Sequence, residues 1–398
     1  MKHLTIAIAA LSMLLCSGVQ AQELTNFPGR GGIKSPEINA DNTVTFRFVA
    51  PKARTVQVSG AFMPTEKRTF EMQGRSMTMD VPVPGDMVEK DGVWEYTTPS
   101  PLKPDLYTYD FILDGVAVKD PSNFMMQRDG VNFLNIFIVP GEYSNNFMET
   151  GHRGNVEKVW YDSPTLGINR RMYVYLPYGY ADSPKQKYPV LYLLHGAGGD
   201  EDAWSTMGRA CQILDNLIEQ GKAVPMIVVM PNGNPTQEAA RTEGLPEKQM
   251  TQADYQNPAI RDSYVNSIVK DIVPYIEKHY RAIPKYESRA IAGLSMGGGH
   301  TISASCKYPK EFAYICPLSM GLQQGQDYTK EFAAIKAAGY KLYWVGCGNA
   351  DFLYGSAQNL DKALTDAGLK HTFFVSEGGH TWTNWRLYLS TFAPLLFK

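Results

Sequence analysis

Val190-Leu191-Tyr192-Leu193-Leu194 is apolar at every position, so a strand built from it has no face to give to water. Similar runs recur at Arg171 to Leu176, Met226 to Met230, Arg289 to Ala292, Ala313 to Leu318, Lys341 to Val345 and Thr372 to Val375. Amphipathic stretches separate them. One begins near Ala203, puts Trp204, Met207, Cys211, Leu214 and Ile218 on one face, and stops at Gly221. Another follows Asp262 with Val265, Ile268, Val269, Ile272 and Ile276 inward, and Pro274 predicts a kink in it. Doubly buried strands alternating with helices predict a mostly parallel sheet covered on both faces.

The chain before about Thr150 is written differently. Val44 to Val49, Thr55 to Val58, Trp94 to Tyr96, Tyr107 to Leu113 and Phe133 to Val139 alternate with a period of two, and Asp91-Gly92 and Asp114-Gly115 stand where tight turns are needed. This predicts an antiparallel, immunoglobulin-like β-sandwich. At the start, Met1-Lys2-His3, the apolar stretch Leu4 to Leu15, and Val19-Gln20-Ala21 fit the three zones of a secretory signal peptide, with cleavage after Ala21. The expected organisation is a leader over 1–21, a sandwich over 22–149 and an α/β domain over 150–398, secreted or periplasmic, with no stable membrane association.

Lysines and arginines number 38 against 40 acidic residues, mixed along the chain, for a net charge of −2. That balance leaves no electrostatic footprint for nucleic acid or an anionic membrane. Beyond the leader, Cys211, Cys306, Cys316 and Cys347 allow three pairings if export leaves them all bridged, but each falls in a segment read as buried and they are expected to act as small apolar residues. No Cys-x-x-Cys or His/Cys cluster suggests a metal, and no cofactor is expected.

Gly293-Leu294-Ser295-Met296-Gly297 follows the buried run Arg289 to Ala292 and precedes a helix over Gly298 to Tyr308. Ser295 therefore falls on a sharp strand-to-helix turn, where a nucleophile is held in a strained conformation, and side chains at 293 and 297 would collide with their neighbours. A serine hydroxyl needs a base, and the base a carboxylate. In an α/β-hydrolase fold these follow in the order Ser, Asp or Glu, His. Of the histidines downstream, His300 sits in the helix after the turn and His371 opens a strand, which leaves His380, in the loop after Glu377-Gly378-Gly379. Asp351 follows the strand Lys341 to Val345 and is the expected carboxylate, with Glu377 its rival. Oxyanion donors are expected from the Met296 N–H and from Gly196 or Ala197, in the glycine-rich loop after Leu194.

With these residues in place, the second half resembles the esterase D family, which includes the feruloyl and acetyl xylan esterases of carbohydrate esterase family 1. The likeness extends through Arg171 to Pro177, Tyr188 to Gly196, Val228 to Gly233 and Ile276 to Tyr280, and the family's triad maps onto Ser295, Asp351 and His380. The first half resembles family 48 carbohydrate-binding modules, through Val44 to Pro51, Asp91 to Glu95, Tyr107 to Phe111 and Asp114 to Pro121. It departs from them after Gly60-Ala61-Phe62, where Met63-Pro64-Thr65 replaces the usual tryptophan.

The resemblance implies a secreted feruloyl esterase acting on arabinoxylan, with feruloylated or acetylated xylan oligosaccharides as partners. An aromatic acyl pocket is expected from Phe352, Tyr354, Trp382 and Trp385, and the polar stretch 232–261 is expected to be an insertion over the site. The alternatives are an acetyl xylan esterase, a siderophore triester hydrolase of enterobactin type, and a carbohydrate-binding protein with an inactive esterase domain.

Overall fold

The computed structural model describes residues 32–72, 75–246, 251, 253 and 257–398. The expected signal peptide, and 247–250, 252 and 254–256 of the 232–261 stretch, lie outside the described residues.

The period-two half forms two packed antiparallel sheets. One has the order β1 (Glu37–Ile38), β2 (Val44–Val49), β8 (Val93–Thr97), β7 (Val88–Lys90). The other runs β11 (Met126–Asp129), β12 (Asn132–Ile138), β9 (Leu106–Leu113), β3 (Val56–Gly60), β6 (Gly85–Asp86), with β10 (Val116–Val118) on β9. A separate ribbon, β4 (Thr65–Met72) with β5 (Arg75–Pro82), stands apart from both. The alternation is the packing: Val44, Phe46, Val56, Val58, Phe111 and Phe137 meet between the sheets, where Phe46 stacks on Phe62. Met63, which follows Gly60-Ala61-Phe62, is buried as well.

The two Asp-Gly pairs do what their chemistry suggests. Lys90 pairs with Val93 across Asp91-Gly92, and Leu113 with Val116 across Asp114-Gly115; all four turn residues have positive φ, between 47° and 88°. Such turns match the twist of a hairpin, and glycine enters them without strain.

The second half is an eight-stranded sheet in the order β13 (Asn155–Ser163), β14 (Ile168–Leu176), β16 (Ile227–Pro231), β15 (Val190–Leu194), β17 (Arg289–Leu294), β18 (Tyr314–Leu318), β19 (Leu342–Gly348), β20 (Thr372–Ser376). From β16 onward neighbours are parallel; β13 and β14 are antiparallel. This is an α/β-hydrolase fold behind a β-sandwich. Helices α1 (Ala210–Glu219), α2 (Pro258–Ser267), α3 (Val273–His279), α4 (Met296–Lys307), α5 (Thr329–Ala338), α6 (Tyr354–Asp366) and α7 (Trp382–Phe392) flank the sheet.

Three expectations shift. Strand β13 has no counterpart among the apolar runs, because it lies at the edge with most of its residues exposed. The helix expected from Ala203 starts at Ala210: turns occupy the intervening segment, and Arg209 is left-handed at φ 50°. Trp204 and Met207 are buried all the same, as anchors of the turns. Between α2 and α3 the backbone makes a π-helical turn over Ile268–Ile272, just before Pro274. A proline has no N–H to give and its ring crowds the preceding turn, so the widened turn stands where a kink was expected.

Cys211, Cys306, Cys316 and Cys347 are unpaired, and burial pushes the thiols of Cys211, Cys306 and Cys347 up to about 12. They are inert filling. Among the described residues no helix is long and apolar enough to cross a membrane.

The halves share a core. Leu106, Ile136 and Ile138 of the sandwich pack with Trp204, Trp385, Leu389 and Phe392. The buried Arg386 of α7 donates to the Met207 and Leu106 carbonyls, both at 3.0 Å, and to Asp105 at 3.3 Å. This seam lies beside the carboxyl ends of β15, β17, β19 and β20, so a sandwich wall closes in on the loops that follow them.

Candidate active site

Ser295 joins β17 to α4 with φ 52° and ψ −117°, a conformation that costs a residue with a Cβ on the order of 1–3 kcal/mol. The surroundings over-determine it. Ser295 N–H donates to the Leu318 carbonyl at 2.9 Å and Gly299 N–H to the Ser295 carbonyl at 3.0 Å. A Cβ on Gly293 would lie 2.4 Å from the Gly297 carbonyl oxygen, and one on Gly297 would lie 2.5 Å from that of His195. Both glycines are therefore dictated by close approach, one to the helix and the other to the end of β15.

His380 and Asp351 come together from the loops after β20 and β19. The two Asp351 carboxylate oxygens each lie 3.0 Å from His380 Nδ1, and one of them also accepts the Leu353 N–H at 2.9 Å. Burial pushes the Asp351 carboxyl up, but the hydrogen bonds from His380 and Leu353 outweigh it and hold the group below its ordinary value. It is thus an anion that fixes the imidazole with its proton on Nδ1 and Nε2 free to accept. The loops are tied by Asn349 N–H to the Ser376 carbonyl at 2.9 Å, Ala350 N–H to the Gly378 carbonyl at 3.0 Å, and Asn384 Nδ2 to the Gly379 carbonyl at 2.7 Å. Glu377, the rival carboxylate, is exposed and faces Lys103.

Ser295 and His380 line one cavity of about 370 Å³, together with Gly196, Ala197, Trp382 and Trp385. Gly196 sits against the serine: a Cβ there would be 3.2 Å from Ser295 Cβ. Met296 opens α4, where the first N–H groups have no acceptor within the helix. Amides from both loops are thus available to a negative charge forming beside Ser295.

The loop before Gly196 is held by a residue to which sequence reasoning gave no role. His195 is buried, with Nδ1 2.7 Å from the Gly196 carbonyl and Nε2 accepting the Gly233 N–H at 2.6 Å. These partners assign the proton to Nδ1, and burial lowers the ring's tendency to charge. Trp204 Nε1 donates to the Leu194 carbonyl at 2.9 Å from the other side. The signal was present as the residue between an apolar strand and a glycine loop.

Of the four aromatic residues expected to form an acyl pocket, two line the cavity with Ser295. Trp382 and Trp385 line the cavity; Trp385 stands edge-on to the His380 ring at 5.0 Å and donates to Ser319 Oγ at 3.0 Å. Phe352 packs on the outer side of His380, with ring centroids 4.5 Å apart, and is 67% exposed rather than in the cavity. Tyr354 opens α6 and stacks on Phe373, away from the serine, because the helix start turns it toward the apolar layer beneath α6. The 232–261 stretch begins as irregular chain tied down by the buried Arg170, which donates to the Asn232 and Asn234 carbonyls, both at 2.7 Å.

The sandwich reaches this site through the β11–β12 hairpin. Arg128 makes a two-pronged ion pair with Asp200, at 2.8 and 2.6 Å, and donates to Asp202 at 3.0 Å. Asp129 and Leu134 of the hairpin, with Leu106 and Thr108 of β9, complete the cavity wall.

A strained serine on a strand-to-helix turn, a histidine and a buried carboxylate in the loops that follow, and a glycine-rich amide loop make up the arrangement that serine hydrolases with an α/β-hydrolase fold carry. Residues 163–344 match the family model described as putative esterase. Along 94% of its length the chain is 31% identical to an endo-1,4-beta-xylanase/feruloyl esterase of Xylanibacter ruminicola. It covers 47% of that protein; the chain spans about half the length of the curated relative it matches. A solved ferulic acid esterase is similar over 62% of this chain and 98% of its own, with 26% identity and a TM-score of 0.51. The enterobactin esterase of Shigella flexneri is similar in fold over 88% of this chain and 92% of its own, with 16% identity and a TM-score of 0.62.

Proposed function

We propose that this chain is a carboxylic ester hydrolase that releases ferulate from arabinoxylan through an acyl-enzyme on Ser295. The observation that carries the reading is the convergence of Ser295 and the Asp351-paired His380 on one cavity. In this mechanism Ser295 Oγ attacks the ester carbonyl carbon while His380 Nε2 takes its proton, and Asp351 stabilises the imidazolium. The carbonyl oxygen becomes an oxyanion held by the Met296 N–H and an amide of Gly196 or Ala197. As the C–O bond breaks, His380 returns the proton to the departing alcohol. Water then repeats the sequence, with His380 as base, and frees the acid.

The feruloyl choice is supported by the names of the relatives and by Trp382 and Trp385, which give a flat acyl or sugar ring apolar surface. Acetyl xylan esterase chemistry is the same with a smaller acyl group. A siderophore triester is anionic, and the cavity does not favour one: Asp129 lines it, and its cation Arg386 is engaged by Asp105 and two carbonyls. Export, expected from the Leu4 to Leu15 stretch, belongs to the same reading, since xylan is an extracellular polymer.

The test is incubation of the full chain with feruloylated and acetylated xylo-oligosaccharides and identification of the released acids. Ferulate as the main product supports the proposal. Acetate with no ferulate would assign the acetyl chemistry instead, and neither acid would leave the siderophore hydrolase and the carbohydrate-binding protein.

A further inference from the structure

Asp129 belongs to the sandwich, yet it shares a cavity with Ser295 and His380, whose domain supplies the esterase family match. Its position is set on both sides. Arg128 is locked onto Asp200 and Asp202, and Thr206 Oγ1 donates to the Arg128 carbonyl at 3.1 Å. On the other flank, Gly130 has φ 58° and lies so near the loop that a Cβ there would be 2.6 Å from the Gly198 carbonyl oxygen. The residue between these anchors has little freedom to move. The Trp382 side chain lies beside its carboxylate, and burial holds that carboxyl above its usual range in spite of the Trp382 and Arg128 interactions.

A half-buried carboxylate in a hydrolase cavity needs a reason, since desolvating it is costly. It does not serve the triad, where Asp351 already pairs with His380. The direction of the reaction says which part of an ester it meets. His380 must protonate the departing oxygen, so the alcohol moiety lies on the His380 side of Ser295, where Thr381 and Trp382 follow His380 in the cavity wall and Asp129 lies beside Trp382. A carboxylate accepts about four hydrogen bonds, and no hydrogen bond to the Asp129 carboxylate is made by the Ser295–His380 machinery. The Trp382 indole offers an apolar face to C–H groups. That pairing suits an alcohol dense in hydroxyls.

We propose that Asp129 is a specificity-determining residue for the alcohol half of the ester: with Trp382 it recognises the hydroxyl groups of a sugar esterified at Ser295. The inference rests on the ester-hydrolase reading above. It makes the sandwich a working part of the active site and gives its hairpin a ligand, a monosaccharide unit of the substrate.

Two esters that share an acyl group and differ in the alcohol test it: 5-O-feruloyl arabinofuranose and methyl ferulate, with the full wild-type chain and the Asp129→Asn and Asp129→Ala variants. The expected result is that kcat/KM for the sugar ester relative to the methyl ester falls by about tenfold or more in both variants, through KM. Because the quantity is a ratio on one enzyme, a variant that folds less well does not imitate it. An unchanged ratio overturns the proposal, as does a fall carried by kcat alone. Should wild type cleave acetyl but not feruloyl esters, the acyl assignment fails separately. Acetylated xylo-oligosaccharide against ethyl acetate then gives the same ratio: a fall through KM supports the role of Asp129, and an unchanged ratio overturns it.

Discussion

Arg128 of the sandwich and Asp200 of the loop after β15 meet in a buried two-pronged ion pair, at 2.6 and 2.8 Å. The pair crosses between two parts of the chain that sequence reads as separate domains, and it lands four residues beyond Gly196. Replacing Arg128 by methionine leaves Asp200 and Asp202 desolvated without a cation. The expected cost is about 3–5 kcal/mol of stability, read as a lower melting temperature together with a loss of kcat/KM. A variant that melts with wild type would show that the pair does not join the halves.

Gly297→Ala places a methyl group 2.5 Å from a carbonyl oxygen of the neighbouring strand end. Backbone cannot yield there as a flexible side chain would, so α4 must move away from β15. A destabilisation of about 1–3 kcal/mol is expected, with a larger loss of activity because Ser295 and Met296 move with the helix. Denaturant unfolding and esterase assays check both.

His195→Ala removes the acceptor for the Gly233 N–H and the donor to the Gly196 carbonyl, while touching neither Ser295 nor His380. A loop displaced by about 1 Å costs roughly 10²-fold in rate. The loss should fall on kcat with KM little changed, since an oxyanion forms only after binding. A rise in KM at constant kcat would contradict this role.

Ser295→Ala should lower kcat by several orders of magnitude while substrate still binds. Burst kinetics with an activated ester supply the companion measurement: one equivalent of alcohol released ahead of steady state in wild type, none in the variant.

Asp202 has its carboxyl pushed up to about 6 from 3.8, by burial first and then by the neighbouring Asp200 charge, against the pull of Arg128. A carboxyl that holds its proton more tightly when folded makes the folded state lose stability as pH rises from about 4 to 6. Asp202→Asn lacks that titration. Its melting temperature relative to wild type should therefore climb between pH 4.5 and 7.5. A difference that is flat, or that falls with pH, contradicts the assignment.

Much of this was legible in the chain itself. Doubly apolar runs can be satisfied only by cover on both faces, which fixes the parallel sheet, and Val190–Leu194 appears in the structure with the bounds read from sequence. The placement of Ser295, His380 and Asp351 followed from which segments must be strands and which must be loops. What escaped has a common cause. Strand β13 is exposed along most of its length, and the Ala203 to Arg209 turns bury their apolar side chains without a helix. In neither does local pattern report local structure.

The sequence by itself determined the sheet, the turn at Ser295 and the loops that carry Asp351 and His380, because each depends on periodicity or on steric demands between near neighbours along the chain. The tertiary structure alone decided what surrounds the serine. Tyr354 and Phe352 looked like pocket residues by proximity to Asp351 and are turned elsewhere by the start of α6. His195 became the brace of the Gly196 loop through Gly233, 38 residues away. Asp129 entered the cavity from another domain altogether. Contacts of that range depend on how packed layers meet, and no pattern within a short window of sequence encodes them.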